Sequence, residues 1–234
     1  MADQVIPPSV RDDPCQLQLE ALAHPVSAVW TRARRPCADC VLAHGAGAGM
    51  THPFLMGAAH EMAGAGISVL RFNFPYMESR RRLPGSAASL VEPWRAVLAH
   101  VAQDGNRPVV AAGKSMGGRV ASMLAAQETD AFAAAGLVFF GYPLHPAGKP
   151  GQLRDAHLPH IRRPMLFIQG SRDALARIDL IEAVVDRLRP LARLHVVPGA
   201  DHSFRAPREP RSQEDLGRAI GRIAGEFIRE LVST

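Results

Sequence analysis

The stretch Val109-Val-Ala-Ala-Gly-Lys-Ser-Met-Gly-Gly-Arg-Val-Ala-Ser-Met-Leu124 contains the turn on which the fold reading depends. Its first four residues, Val109 to Ala112, are small or β-branched and apolar, as a buried strand requires. After Gly117, the residues Val120, Met123 and Leu124 recur at helical spacing. Between these two patterns Gly113-Lys-Ser-Met-Gly117 matches G-x-S-x-G. A strand that turns directly into a helix forces the serine at the turn into a strained conformation with its hydroxyl above the sheet, and glycines on either side relieve the crowding. A phosphate-cradling loop through Gly113-Lys114-Ser115 would need a glycine where Pro108 stands. Taken alone, the pentapeptide reads equally as a serine-capped helix start with glycines for close packing.

Working outward, Cys40–Ala43, Ile67–Phe74, Leu137–Phe140, Met165–Gln169 and Leu194–Val197 are further short apolar runs, each bounded by Gly, Pro or polar residues. Amphipathic segments fall between them: Ile181, Val184, Val185 and Leu188 line one helix face, and Leu216, Ile220, Ile223, Phe227 and Leu231 another. Ser212 with Asp215 marks the start of that last helix. Strands alternating with helices predict an α/β chain with a mostly parallel central sheet and helices on both faces. Residues 16–30 add antiparallel edge strands. With no internal repeat and no composition break, residues 15–234 read as one domain behind a loose N-terminal segment, residues 1–14. The 234 residues, 47% of them apolar, suffice for a sizeable core and exclude a disordered chain or a disulfide-stapled mini-protein.

The 27 basic and 22 acidic residues give a formal charge of +5, a bias toward anionic partners. No run of base-stacking aromatics accompanies the arginines, so nucleic acid is not an expected partner. The longest apolar stretch, Ala131–Gly148, is broken by Gly136, Gly141, Pro143 and Pro146 and suits a buried strand better than a bilayer span, and the first residues do not read as a secretory signal. Cys15, Cys37 and Cys40 form an odd, sparse set that fits a reducing compartment, with the cytoplasm as the default. Cys37-Ala-Asp-Cys40 leads into a strand and lacks a second cysteine pair, so Cys40 reads as a buried thiol, and no metal site is expected.

In a parallel sheet, ligands gather where loops leave the carboxyl ends of the strands. Gly170-Ser-Arg-Asp173 follows one strand and Gly199-Ala-Asp-His202 the next. A serine hydroxyl needs a base, and the base needs an acid that fixes its tautomer; Ser115, then Asp173, then His202 supply these in a recognised chain order. Asp201 is a rival acid, but it adjoins His202 too closely for good side-chain geometry. His44-Gly-Ala-Gly-Ala-Gly49 after the strand Cys40–Ala43 offers backbone N–H groups for an oxyanion, with those of Ala46 and Met116 as the expected donors. A dinucleotide fingerprint starting at Gly45 fails because Met50 stands at its last glycine and no acid ends the next strand.

These segments resemble the α/β-hydrolase superfamily. More narrowly, the sequence is similar to its testis-expressed-protein-thirty-like and NSL-complex-subunit-three-like domains, with dienelactone hydrolases as more distant kin. The similarity rests on His44-Gly-Ala-Gly-Ala-Gly49, Arg71-Phe-Asn-Phe-Pro-Tyr76, Gly113-Lys-Ser-Met-Gly-Gly-Arg119, Gly141-Tyr-Pro-Leu-His145, Gly170-Ser-Arg-Asp173 and Gly199-Ala-Asp-His202. The resemblance implies Ser115 as nucleophile, Asp173 as acid and His202 as base; the chemistry expected of these residues is acyl transfer from an ester or thioester without a cofactor. Because some of this branch serves in protein assemblies, a catalytically idle interaction module is the alternative.

The segment between Phe140 and Pro164 is too short for a large cap domain and is expected to form a short helix over the rim through Pro150, Leu153 and Leu158. Met50, Tyr76, Tyr142 and Phe204 then bound an open substrate cleft or belong to the core. Arg80-Arg81-Arg82 is either a solvated run or a selector for anionic small-molecule substrates. Lys114 is expected to point away from Ser115 and pair with an acid behind the turn. Sequence leaves the oligomeric state open.

Overall fold

The computed structural model describes residues 10–79, 81, 84–103, 105–208 and 210–233. Eight strands form one sheet: β1 (Asp12–Leu17), β2 (Val26–Thr31), β3 (Ala38–Ala43), β4 (Ile67–Phe72), β5 (Val109–Lys114), β6 (Gly136–Phe140), β7 (Met165–Gly170) and β8 (Ala192–Val197). Their spatial order is β1-β2-β4-β3-β5-β6-β7-β8. β1 and β2 are antiparallel to each other, and β2 is antiparallel to β4. From β4 to β8 every pairing is parallel.

The helices are α1 (Pro53–Gly64), the one-turn α2 (Pro75–Glu78), α3 (Val91–Ala102), α4 (Met116–Glu128) and α5 (Ile178–Arg187) between strands, and α6 (Gln213–Val232) after β8. Residues of the central strands alternate between two cores, as the two-residue period of a strand requires. Val41, Leu70, Ala111, Phe139 and Phe167 face Trp94 of α3, Val120 of α4 and Ile181 of α5. Cys40, Leu42, Val69, Val110, Val138 and Ile168 face Phe54 of α1 and Ile220 and Phe227 of α6. α1 and α6 cross in near-backbone contact: a Cβ on Gly57 would lie 2.1 Å from the Glu214 carbonyl oxygen, and one on Gly217 2.1 Å from that of Phe54. Ser212 caps α6 as its sequence signature indicates, accepting from the Asp215 N–H at 3.1 Å.

Two boundaries differ from expectation. Most of the segment read as loose lies outside the described residues, but Asp12, Asp13 and Pro14 are paired in β1. A strand with proline and two acids is readable only once it is known to lie at the sheet edge, where a missing N–H is harmless. The expected rim helix between β6 and β7 is absent: Leu158–His160 form a 3₁₀ turn, Leu158 is buried and Leu153 is exposed. Three prolines and two glycines between Pro143 and Gly151 explain why no helix propagates there. Among the described residues no cap domain covers the carboxyl ends of the strands. No helix among the described residues is long and apolar enough to cross a membrane.

Candidate active site

Ser115 stands between β5 and α4 at φ 51°, ψ −115°, a backbone conformation that side chains rarely adopt. Two features hold it there. Its N–H donates to the Phe140 carbonyl at 3.0 Å, tying the turn to the end of β6. The glycines around it let α4 start directly against the sheet, since a Cβ on Gly113 would fall 2.2 Å from the Gly118 nitrogen and one on Gly117 2.7 Å from the Ala43 and His44 carbonyl oxygens. Ser115 makes no side-chain cap on α4; its Oγ lies 2.9 Å from His202 Nε2. His202 Nδ1 is 2.7 Å from Asp173 Oδ2. Ser115 and His202, 87 positions apart, thus meet directly, and His202 links Ser115 to Asp173, so that the three sequence-predicted residues come together.

The acid is the most enclosed member: the Asp173 side chain is 0% exposed, whereas that of His202 is 25% exposed. Asp173 Oδ1 accepts from the Leu175 N–H at 2.8 Å, and Oδ2 from Gln169 Nε2 at 2.5 Å. Gln169 also accepts from the Tyr142 N–H at 2.8 Å, locking the β6 and β7 ends together. An amide at the end of an otherwise apolar strand is the one sequence feature that points to this role. Asp201, the rival acid, instead accepts from the N–H groups of Ser203 and Arg205 at 2.8 and 2.9 Å and builds the turn that presents His202.

Lys114 departs from expectation. Its Nζ meets no carboxylate but donates to the His202 carbonyl at 2.7 Å, beneath the histidine loop. Burial pushes this amine down to about 8, although Asp173 and Asp201 pull it back up.

The glycine-rich loop after β3 lies beside the serine, for a Cβ on Gly45 would sit 3.5 Å from Ser115 Cβ. Met116 opens α4, so its N–H has no carbonyl to bond within the helix. The Ala46 N–H carries no hydrogen bond to another described residue. His44 is buried and anchors the loop: Nε2 accepts from the Phe74 N–H at 3.1 Å, leaving Nδ1–H to donate to the Gly45 carbonyl at 2.8 Å. Burial lowers the His44 pKa, which favours this neutral tautomer. At the far end of the loop, Met50 donates its N–H to Asn73 Oδ1 at 2.9 Å, and its carbonyl accepts from Arg71 Nη1 at 3.0 Å. Arg71 is itself 1% exposed and paired with Asp12 of β1 at 2.7 Å. Arg71 and Asn73 belong to the segment Arg71-Phe-Asn-Phe-Pro-Tyr76, but only the fold reveals that they grip the loop.

Of the four residues considered for a cleft, Met50 is half-buried and compatible with that role. Tyr142 is fully buried, with its hydroxyl donating to the Arg154 carbonyl at 2.9 Å, and Phe204 is buried and stacked on Phe54. Both therefore belong to the core. Tyr76 is buried against His44 and Phe74, with its hydroxyl lacking a partner among the described residues. Arg80 and Arg82 lie outside the described residues, and Arg81 is exposed. Cys40 is buried in β3 and Cys37 exposed. No group of metal-ligating side chains occurs among the described residues.

A second serine–histidine contact, Ser122 Oγ to His157 Nε2 at 2.7 Å, has a different character. Ser122 lies buried within α4 and donates its one proton to the Arg119 carbonyl at 2.7 Å, so it accepts from the imidazole rather than giving it a proton. Burial, reinforced by Arg119, pushes His157 down to about 4.

A family model described as an alpha/beta hydrolase domain matches residues 36–229. The chain belongs to this family. Solved structures with the same fold include a dienelactone hydrolase from Anabaena variabilis, 22% identical over 94% of this chain and 98% of that one, with a TM-score of 0.72. XC6422 from Xanthomonas campestris, described as an α/β serine hydrolase without lid, is 20% identical over 92% of this hydrolase and 95% of its own chain, with a TM-score of 0.69. Est1E from Butyrivibrio proteoclasticus, solved with ferulic acid bound, is 15% identical over 94% and 100% of the two chains, with a TM-score of 0.70.

Proposed function

We propose that this alpha/beta hydrolase cleaves carboxylic ester or thioester bonds of small molecules through an acyl-enzyme on Ser115. The observation that carries the reading is the unbroken relay from Asp173 through His202 to Ser115, at 2.7 and 2.9 Å. In the first step His202 Nε2 takes the Ser115 proton as Oγ attacks the carbonyl carbon, and Asp173 stabilises the imidazolium. The N–H groups of Ala46 and Met116 receive the negative charge on the carbonyl oxygen; each such donor is worth about 3–4 kcal/mol in the transition state. Collapse of the tetrahedral intermediate breaks the carbonyl–oxygen or carbonyl–sulfur bond, and His202 returns its proton to the departing alcohol or thiol. Water then gives a proton to His202 and attacks the acyl carbon, and Ser115 leaves with that proton as the carboxylic acid is released.

The chemistry draws on no metal or organic cofactor. The absence of a cap domain suits compact substrates reaching an open rim. The arginines at positions 80–82 would favour a carboxylate or phosphate on the substrate, and three free thiols suit the cytoplasm. A p-nitrophenyl ester and an acyl thioester tested with wild type and Ser115→Ala decide the matter: turnover that falls at least 10³-fold in the variant is expected. Equal turnover by both proteins, or none by either, removes the proposal, the second result favouring an interaction module.

A further inference from the structure

At the opposite end of the sheet from Ser115, a cavity of about 840 Å³ opens beside the amino ends of β3 and β4. The six residues of β3 separate it from the serine rim by roughly 20 Å at about 3.3 Å per residue. Its walls carry Arg11, Arg32, Arg34, Arg35 and Arg229, brought together from the segment before β1, the β2–β3 connection and the last turn of α6. No carboxylate lines it among the described residues. Elsewhere on the surface arginines meet acids: Arg95 pairs with Glu128, Arg187 with Asp155, Arg193 with Glu230 and Arg222 with Glu61. None of the five cavity arginines has such a partner among the described residues. The carboxyl end of α1, which forms the floor, offers only about half a negative charge.

The floor itself, Ala63–Gly66, is built of small residues, and the space above Gly64 is open, with nothing within 4 Å of a Cβ placed there. Concave shape, unneutralised guanidinium groups and a low floor coincide. We propose that this cavity binds a small oligophosphate anion, held by forked hydrogen bonds from the arginines, at a site separate from the hydrolytic one. Guanidinium groups match phosphate oxygens two at a time and lose little hydration in doing so, which suits arginine rather than lysine to this role. The cavity lies within the usual size range of small-molecule sites.

Cys37 gives the site its own reporter, because its exposed thiol lines the cavity while Cys40 is buried. The full chain is titrated with sodium tripolyphosphate, and alkylation of Cys37 by iodoacetamide is followed by peptide mass spectrometry. Saturable protection that slows alkylation at least tenfold is expected, with the half-protecting concentration raised at least tenfold in an Arg34→Gln/Arg35→Gln double variant of unchanged melting temperature. Absence of protection, equal protection in the double variant, or the same protection by sodium sulfate at matched ionic strength overturns the proposal.

Discussion

Gly170 closes β7 at the point where the strand touches the loop that carries His202. A Cβ at this position would lie 2.4 Å from the Ala200 carbonyl oxygen and 2.6 Å from that of Asp201. Both obstacles are backbone, so no side chain can swing aside. Restoring ordinary contact at about 3.4 Å requires the loop to retreat by about 1 Å. Asp201 adjoins His202, whose 2.7 Å and 2.9 Å contacts to Asp173 and Ser115 have no slack for such a shift. A displacement of 1 Å at a reacting group costs about 10²-fold in rate. Gly170→Ala is therefore expected to lose about two orders of magnitude in kcat/KM on a p-nitrophenyl ester, with a stability cost of about 1–3 kcal/mol from overpacking. Gly151→Ala, at a glycine with nothing within 4 Å of an added Cβ, serves as the control and should match wild type. A folded Gly170→Ala protein within threefold of wild-type kcat/KM would refute the claim that the strand end fixes the histidine.

Three further outcomes follow from the same geometry. Lys114 binds fewer protons in the native than in the unfolded chain between its lowered value of about 8 and the ordinary value of 10.5, so its contribution to stability rises with pH in that window. Urea unfolding should show wild type gaining about 2 kcal/mol relative to Lys114→Met between pH 8 and pH 10, and a constant difference would contradict this. Ser122→Ala leaves the His157 N–H with only the longer 3.5 Å contact to the Tyr142 hydroxyl and should cost about 1–3 kcal/mol in urea while leaving ester turnover within twofold of wild type; a catalytic collapse would move the site to Ser122. Asp12→Ala leaves the buried Arg71 guanidinium without its carboxylate and should destabilise the chain by about 2–3 kcal/mol, less than for a fully enclosed pair because Asp12 is 28% exposed; an unchanged unfolding midpoint would deny the clamp.

The central strands were legible because each is short, apolar and bounded by turn residues, and the serine turn because strand, glycine spacing and helix period agree around residue 115. The positions of Asp173 and His202 followed from a general property of parallel sheets, that loops at the carboxyl ends of strands share a rim. What could not be read were contacts set by side-chain direction across long separations. Arg71 reaches Asp12 across 59 residues, and Lys114 turns toward a backbone carbonyl 88 residues away, where a carboxylate was expected. Tyr142 and Phe204 follow strand ends, where an aromatic ring can line a cleft or close the core, and only the packing of Phe54, Phe139 and Phe167 around them decides for the core. The edge strand at Asp12–Leu17 was hidden by its polarity, since one-sided pairing at an edge imposes no apolar pattern.

The reactivity of the Ser115 hydroxyl is tested most directly by incubating the chain with a fluorophosphonate and locating the adduct by peptide mass spectrometry. The account predicts one stoichiometric adduct on the peptide containing Ser115, formed at least 10²-fold more slowly in His202→Ala. An adduct on another serine, or well-folded protein that stays unmodified, would contradict it.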